Sequence, residues 1–273
     1  MVDATVHLIE RGHVRTDAGH VVEGYGMATA SEPDPEPNRG AGPVYNLVIE
    51  HPEATILWDT GSHPEAGDGH WPADLYDEFE HYDADEYRLD DGLEAAGFGI
   101  EDVDAVVATH LHVDHAGGLR HFAGTDVPVF VHVEELKHAY YAAKTDEGGD
   151  LYVAADFDHE LHWQPVHGHR VSFFEDVEFL HLPGHTPGLL GVFLHLDGAD
   201  EADEQESHLF VGDQADVRVN YDHGLPMGAK LLWDRPSWLE SLRWLKDLER
   251  RHDATVYCGH DADDVERLRG GLG

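Results

Sequence analysis

An α/β fold is the expectation for this 273-residue chain, and three observations carry it. Short apolar runs rich in Val, Ile, Leu and Phe recur along the chain, bounded by Gly, Pro or acidic residues, as buried strands are. Several of these runs stop at a single His or Asp, and α/β layers build sites from loops at strand ends. Between the runs lie helical patterns, clearest in residues 236–252, where Leu239, Leu242, Leu245 and Leu248 recur along one face.

The elements read in order as follows. Residues 5–10 and 21–28 are expected as opening strands, and residues 31–43, rich in Pro, Gly and acid, as a loop. Residues 44–50 and 54–59 suit a hairpin pair running into Thr60-Gly61. Residues 61–84 break the pattern and hold Trp71, Tyr76, Phe79 and Tyr82 among acids. An elaborated surface loop with a short helix and a substrate lid both fit that stretch. Residues 90–97 read as a short helix stopped by Gly97, 103–108 and 127–132 as strands, and 133–144 as a helix with Glu134 and His138 on its surface. Residues 145–163 are irregular and acidic, anchored by Tyr152, Phe157 and Trp163. Residues 197–207 read as a solvated acidic turn.

The run Thr109-His110-Leu111-His112-Val113-Asp114-His115 places four metal-capable side chains within six residues. Imidazole and carboxylate are ligands that zinc and similar divalent metals take. His110 and His112, two apart at a strand end, project to the same side. Asp114 and His115 need a turning backbone to aim near them, so one run supplies two half-sites. Chance would give such a string in roughly one chain of this composition in fifty, and three later segments tell against chance. Pro183-Gly184-His185-Thr186-Pro187-Gly188 presents one imidazole on a tight loop. Leu209-Phe210-Val211-Gly212-Asp213 is a strand ending in a carboxylate, and Thr255-Val256-Tyr257-Cys258-Gly259-His260-Asp261 is a strand ending in Gly-His.

In these residues the chain resembles the metallo-β-lactamase superfamily: His110, His112, Asp114, His115, His185, Asp213 and His260 occur in that order, after an Asp59-Thr60-Gly61 strand end. Within it the chain looks most similar to the N-acyl-homoserine lactone lactonases, through Gly259-His260-Asp261 and the helix before it. The resemblance implies one domain over residues 1–273 with a four-layer αββα sandwich. It also implies two divalent metal ions, with zinc expected. His110, His112 and His185 would hold one, Asp114, His115 and His260 the other, and Asp213 would bridge both. A bridging hydroxide would then attack a lactone carbonyl, with Asp114 as the catalytic proton carrier. Asp59 suits a carboxylate that orients a ligand or caps its loop. One departure stands out. Many such lactonases carry Tyr three residues after the bridging Asp, where this chain has Asp216; Tyr221 is an alternative donor from the following loop.

Composition narrows the alternatives. The formal charge is −39, with 56 Asp plus Glu against 17 Lys plus Arg. Lys occurs only at 137, 144, 230 and 246. Such a surface suits concentrated salt and a halophilic host, and it excludes nucleic acid as a partner because phosphates are repelled. A small-molecule substrate is expected, with no membrane association and a monomer or homodimer. No run approaches a membrane span, the first residues lack a signal-peptide pattern, and the single cysteine, Cys258, forbids an internal disulfide. The cytoplasm is therefore the expected compartment, and Cys258 is expected as a packed thiol. His121, His132, His181 and His223 are expected as structural. A glyoxalase-II-like thioesterase is the rival enzyme, although the acidic tail lacks that family's basic glutathione-binding character. A non-hydrolytic redox module is the rival class, although it usually needs a flavin domain for which this length has no room. An inactive scaffold conflicts with the complete ligand set.

Overall fold

The computed structural model describes residues 4–145, 147, 149–196 and 206–273. Its first sheet is made of β1 (Thr5–Asp17), β2 (Arg39–His51), β3 (Ala54–Trp58), β4 (Glu80–His81), β5 (Ala105–Val107), β6 (Pro128–His132) and β7 (His162–Val166), in the spatial order β4-β1-β2-β3-β5-β6-β7. The second contains β8 (Arg170–Ser172), β9 (Val177–His181), β10 (Leu190–Leu196), β11 (Glu206–Phe210) and β12 (Thr255–Tyr257), in the order β12-β11-β10-β9-β8. The helices are α1 (Ala18–Val21), α2 (Ala73–Glu78), α3 (Leu89–Ala95), α4 (Val113–Ala116), α5 (Val133–Lys144), α6 (Ala154–Phe157), α7 (Arg218–His223), α8 (Arg235–His252) and α9 (Ala262–Leu268).

Strand parity sorts the core into layers, since successive side chains point to opposite faces. Leu47, Ile49, Ile56 and Trp58 face the second sheet and meet Phe179, Val192, Leu194 and Phe210. Their neighbours Val48 and Leu57 point outward and pack with Leu93 of α3 and Ala139 of α5. On the far side Phe193, Leu209 and Val211 pack under Trp238, Leu242, Leu245 and Leu248 of α8. Helix, sheet, sheet, helix is the four-layer αββα order the sequence implies. Helix α8 starts where the Asp234 side chain accepts from the Ser237 N–H, a standard N-cap. It ends at Asp253, which takes a left-handed φ of 50°.

Three expectations need correction. Residues 21–28 form no strand: β1 runs on to Asp17, its free edge pairs with β4, and Gly24 and Gly26 turn the chain with φ of 78° and 67°. Residues 31–43 are a loop only up to Asn38, because Arg39 to Pro43 pair with the extension of β1. Leu239 is only half-buried, and Trp238 and Ser241 take its place on the buried face of α8. Of the expected acidic turn, residues 197–205 lie outside the described residues and 206–207 open β11. Cys258 is buried, and burial pushes its thiol well above the ordinary range, as a packed thiol requires.

Candidate metal centre

Five of the seven candidate ligands stand just past the C-terminal end of a strand. His110 and His112 follow β5, His185 follows β9, Asp213 follows β11 and His260 follows β12. Between His112 and Gly117 the chain turns into α4, whose first turn carries Asp114 and whose last carries His115. That turn solves the aiming problem posed by four ligands in six residues. Gly117 is required there, because a Cβ on it would fall 2.1 Å from the His63 nitrogen.

The seven side chains converge. His185 Nε2 lies 3.2 Å from His110 Nε2 and 2.9 Å from His112 Nδ1. Asp213 Oδ2 lies 3.3 Å from His260 Nε2, 3.4 Å from His115, 3.5 Å from His185 and 3.8 Å from His110. Asp114 Oδ2 is 3.6 Å from His260 Nε2 and 3.7 Å from His115 Nε2. Three groups are compact enough to share an ion: His110 with His112 and His185, His110 with His115 and Asp213, and Asp114 with His115 and His260.

The outer hydrogen bonds test whether a cation fits. His185 Nδ1 donates to the Leu231 carbonyl at 2.7 Å, and His260 Nδ1 donates to the Pro43 carbonyl at 2.8 Å. A carbonyl can only accept, so His185, whose imidazole burial keeps neutral, turns a lone pair, not a proton, toward Asp213. Lone pairs facing a carboxylate repel unless a cation sits among them. Asp213 Oδ1 and His115 Nε2 are buried with no hydrogen-bond partner, which is costly unless something else satisfies them. The residues fit divalent metal, with histidines anchored from behind as metal-binding histidines commonly are.

Asp59 explains why the 59–61 segment belongs to the site. Its carboxylate accepts from His115 Nδ1 at 2.8 Å, from the Thr109 N–H at 2.7 Å and from the Thr109 hydroxyl at 2.8 Å. It therefore both orients a ligand and holds the ligand strand. It does so at a left-handed φ of 59°, a strained region that Asp tolerates better than most residues.

The electrostatics divide the site. Burial, then the neighbouring histidines, holds His110 and His112 well below the ordinary imidazole range, and burial also lowers His185. Burial pushes the same way on His115 and His260, but Asp213 and Asp114 outweigh it. They raise His115 well up and His260 to about 10. Burial would raise Asp213, yet His115 and His260 together hold it well below the usual carboxylate range. Burial, then the nearby Asp213, pushes the Asp216 carboxyl well up, toward the protonated form that can donate a hydrogen bond.

One sequence expectation fails here. Tyr221 is fully buried and donates to Glu249 at 2.8 Å, outside the cavity, so it does not supply the missing phenol. Tyr82 stacks on His13 under the Arg15 guanidinium, also outside the cavity wall. Trp71 and Phe79 do line the cavity, within a small packed cluster that includes Val113 and Leu151, so the 61–84 segment contributes two residues to its wall. Glu135 escaped sequence reading because it sits in a run of charged residues. Its spacing to Ala139 and Ala142, the other buried positions of α5, was the available signal.

A cavity of about 460 Å³ opens directly over Asp114, Asp213 and His260. Its lining also includes the apolar side chains of Val14, Val21, Val22, Trp71 and Phe79 and the carboxyl of Asp216. Fold and ligand geometry together define a metal-binding αββα protein, and the model of the metallo-beta-lactamase superfamily matches residues 39–260. The chain belongs to that superfamily. It is 26% identical over 271 residues to the N-acyl homoserine lactonase AiiB of Agrobacterium fabrum, covering 96% of this chain and 95% of the relative. It is 25% identical over 231 residues to the N-acyl homoserine lactonase AiiA of Bacillus thuringiensis subsp. kurstaki, covering 83% and 84%. An N-acyl homoserine lactone hydrolase solved with N-hexanoyl-L-homoserine at its catalytic metal centre shares the fold with a TM-score of 0.81. That match has 23% identity and covers 98% of both chains.

Proposed function

We propose that this protein is a metal-dependent hydrolase that opens lactone rings, with N-acyl-homoserine lactones as its substrates. The observation that carries the reading is that five of the seven clustered ligands, His112, Asp114, His185, Asp213 and His260, line one cavity together with Val14, Val21, Val22, Trp71 and Phe79. A planar ester carbonyl fits beside the ligand cluster and an acyl tail against the apolar side chains. The curated relatives, which are named N-acyl homoserine lactonases over most of their length, support the same reading.

His110, His112 and His185 would hold one ion, Asp114, His115 and His260 a second, with Asp213 between them, all within one domain spanning residues 1–273. When bound, two divalent ions, zinc by ligand chemistry, supply an acidified water and an electrophilic anchor for a carbonyl oxygen. Asp114 is the partly exposed carboxylate of the cluster and faces the cavity. There it can take a proton from the attacking water and return it to the ring oxygen. The bond between carbonyl carbon and ring oxygen breaks, and both new groups stay on one hydroxy-acid product. Val22, Trp71 and Phe79 bury the acyl tail, each methylene adding up to about 0.8 kcal/mol, or about fourfold. The carboxylates lining the cavity disfavour phosphodiesters and other anions.

The acidic surface supports a salt-rich cytoplasm as the working environment. No helix among the described residues is long and apolar enough to cross a membrane.

The test is a substrate panel with metal-loaded protein: acyl-homoserine lactones of rising chain length, a glutathione thioester, a β-lactam and a phosphodiester. Lactone kcat/KM should exceed the others and climb with acyl length, and Trp71→Ala should flatten the climb. Good thioester turnover with none of lactones would discard the lactonase reading and leave the hydrolase.

A further inference from the structure

The histidines of one half-site come from two separate segments, the turn after β5 and the 183–188 loop after β9. Their ring nitrogens lie 2.9–3.2 Å apart, and one ion can reach all three only while the two segments stay in register. Some other group must fix the two segments. We infer that Glu135 is a positioning residue that clamps both segments and sets the affinity of the His110–His112–His185 corner for metal. The inference rests on the metal reading of the site and is independent of the lactone substrate.

Four observations converge on this residue. Glu135 Oε1 accepts from the Leu111 N–H at 3.0 Å, and Leu111 lies between the two histidines. Glu135 Oε2 accepts from the Gly188 N–H at 3.3 Å, three residues after His185. One carboxylate thus spans both ligand segments. The hydroxyl of Tyr152 donates to Oε1 at 2.9 Å, while its ring stands edge-on to His112 with centroids 4.6 Å apart. Glu135 therefore also fixes the wall against which the His112 imidazole rests. Gly188 sits so close to α5 that a Cβ on it would fall 2.1 Å from the Glu135 nitrogen, so that contact admits only glycine.

The chemistry is unusual for a structural carboxylate. Glu135 is fully buried, and none of its hydrogen bonds comes from Lys or Arg. A buried carboxyl without a cation is expensive, and burial raises its proton affinity. A hydrophobic side chain would serve packing alone. What Glu provides is two acceptor oxygens at a fixed separation, aimed at two N–H groups on different loops. Outer partners of this kind are worth about 10–100-fold in metal affinity when removed.

Zinc affinity and stoichiometry, measured by chelator competition on the metal-stripped full chain, provide the test. In Glu135→Gln the amide oxygen can still face Leu111, but its NH2 meets the Gly188 N–H, donor against donor. One zinc equivalent should weaken about 10–100-fold while the other keeps wild-type affinity, and the thermal shift on adding zinc should shrink. Tyr152→Phe, which removes only the hydroxyl, should weaken the same equivalent by less. It also serves as the decisive variant if Glu135→Gln does not fold. Two equivalents of wild-type affinity in whichever variant folds would overturn the clamp, whatever happens to its melting temperature. A wild-type protein that binds no zinc would instead discard the metal reading itself.

Discussion

His110, His112 and His185 meet as three buried imidazoles, each held below the ordinary imidazole range. Asp114, His115 and His260 form a second group, in which Asp114 and His260 keep some exposure and both imidazoles are held above that range by carboxylates. In the metal-free protein the first corner is neutral and lone-pair-rich, ready for a cation at neutral pH. The second keeps protons that a metal must displace. The two halves are also anchored differently. His185 and His260 lean on backbone carbonyls, whereas His115 leans on the Asp59 carboxylate. A carboxylate behind His115 makes it a more basic ligand.

Removing the shared member should erase the contrast. Asp213→Ala is expected to lose at least one metal and to lower kcat/KM on the order of 10³-fold, about 4 kcal/mol of transition-state stabilisation. Metal analysis and single-substrate kinetics check this, and full content with full activity would end the bridging assignment.

Asp59→Asn should sharpen the contrast. It should weaken zinc at the Asp114 half about 10–100-fold and leave the three-histidine corner near wild type. Equal weakening of both equivalents would mean that Asp59 acts through the Thr109 strand rather than through His115.

Acidity should separate the halves again. Zinc should leave the Asp114–His115–His260 half first as pH falls, because its histidines hold protons most tightly. For the stripped protein the linkage runs in two directions. His110, His112 and His185, with lowered values, stabilise the fold above about pH 6.5 relative to acid, and this is lost as pH falls below that point. His260, raised to about 10, adds stability that is complete below about 6.5 and fades as pH climbs to about 10. A stability optimum near neutral is expected from chemical denaturation across pH, and a monotonic profile would contradict the contrast.

Salt should act least on the site and most on the surface. Molar KCl should raise the melting temperature by several degrees, since 56 acids face only 17 Lys plus Arg. Zinc affinity at the buried corner should move little. No thermal response to KCl would remove the halophilic reading.

Much of this site was written in local sequence. The strand ends, the His-x-His-x-Asp-His run and the single ligands at 185, 213 and 260 were legible because apolar runs and turn residues act over a few positions. Helix α5 emerged with its expected bounds for the same reason, and β2 and β3 pair as expected, although β2 starts at Arg39 and not at Val44. Residues 21–28 misled because their apolar character serves a cavity: Val21 and Val22 line it, while β4 occupies the sheet edge they would need. No local pattern announces a competitor from residues 80–81.

The sequence by itself determined the ligand types, their order and the layered α/β class, since these follow from side-chain chemistry and strand and helix periodicity. Only the tertiary structure decided that Asp59 backs His115, that Glu135 ties two loops, that Trp71 lines the cavity and Tyr82 does not, and that Tyr221 is spent on Glu249. Each of those facts depends on which side chains meet across tens to more than a hundred residues of chain. Burial then sets their energies, and burial is a property of the packed molecule.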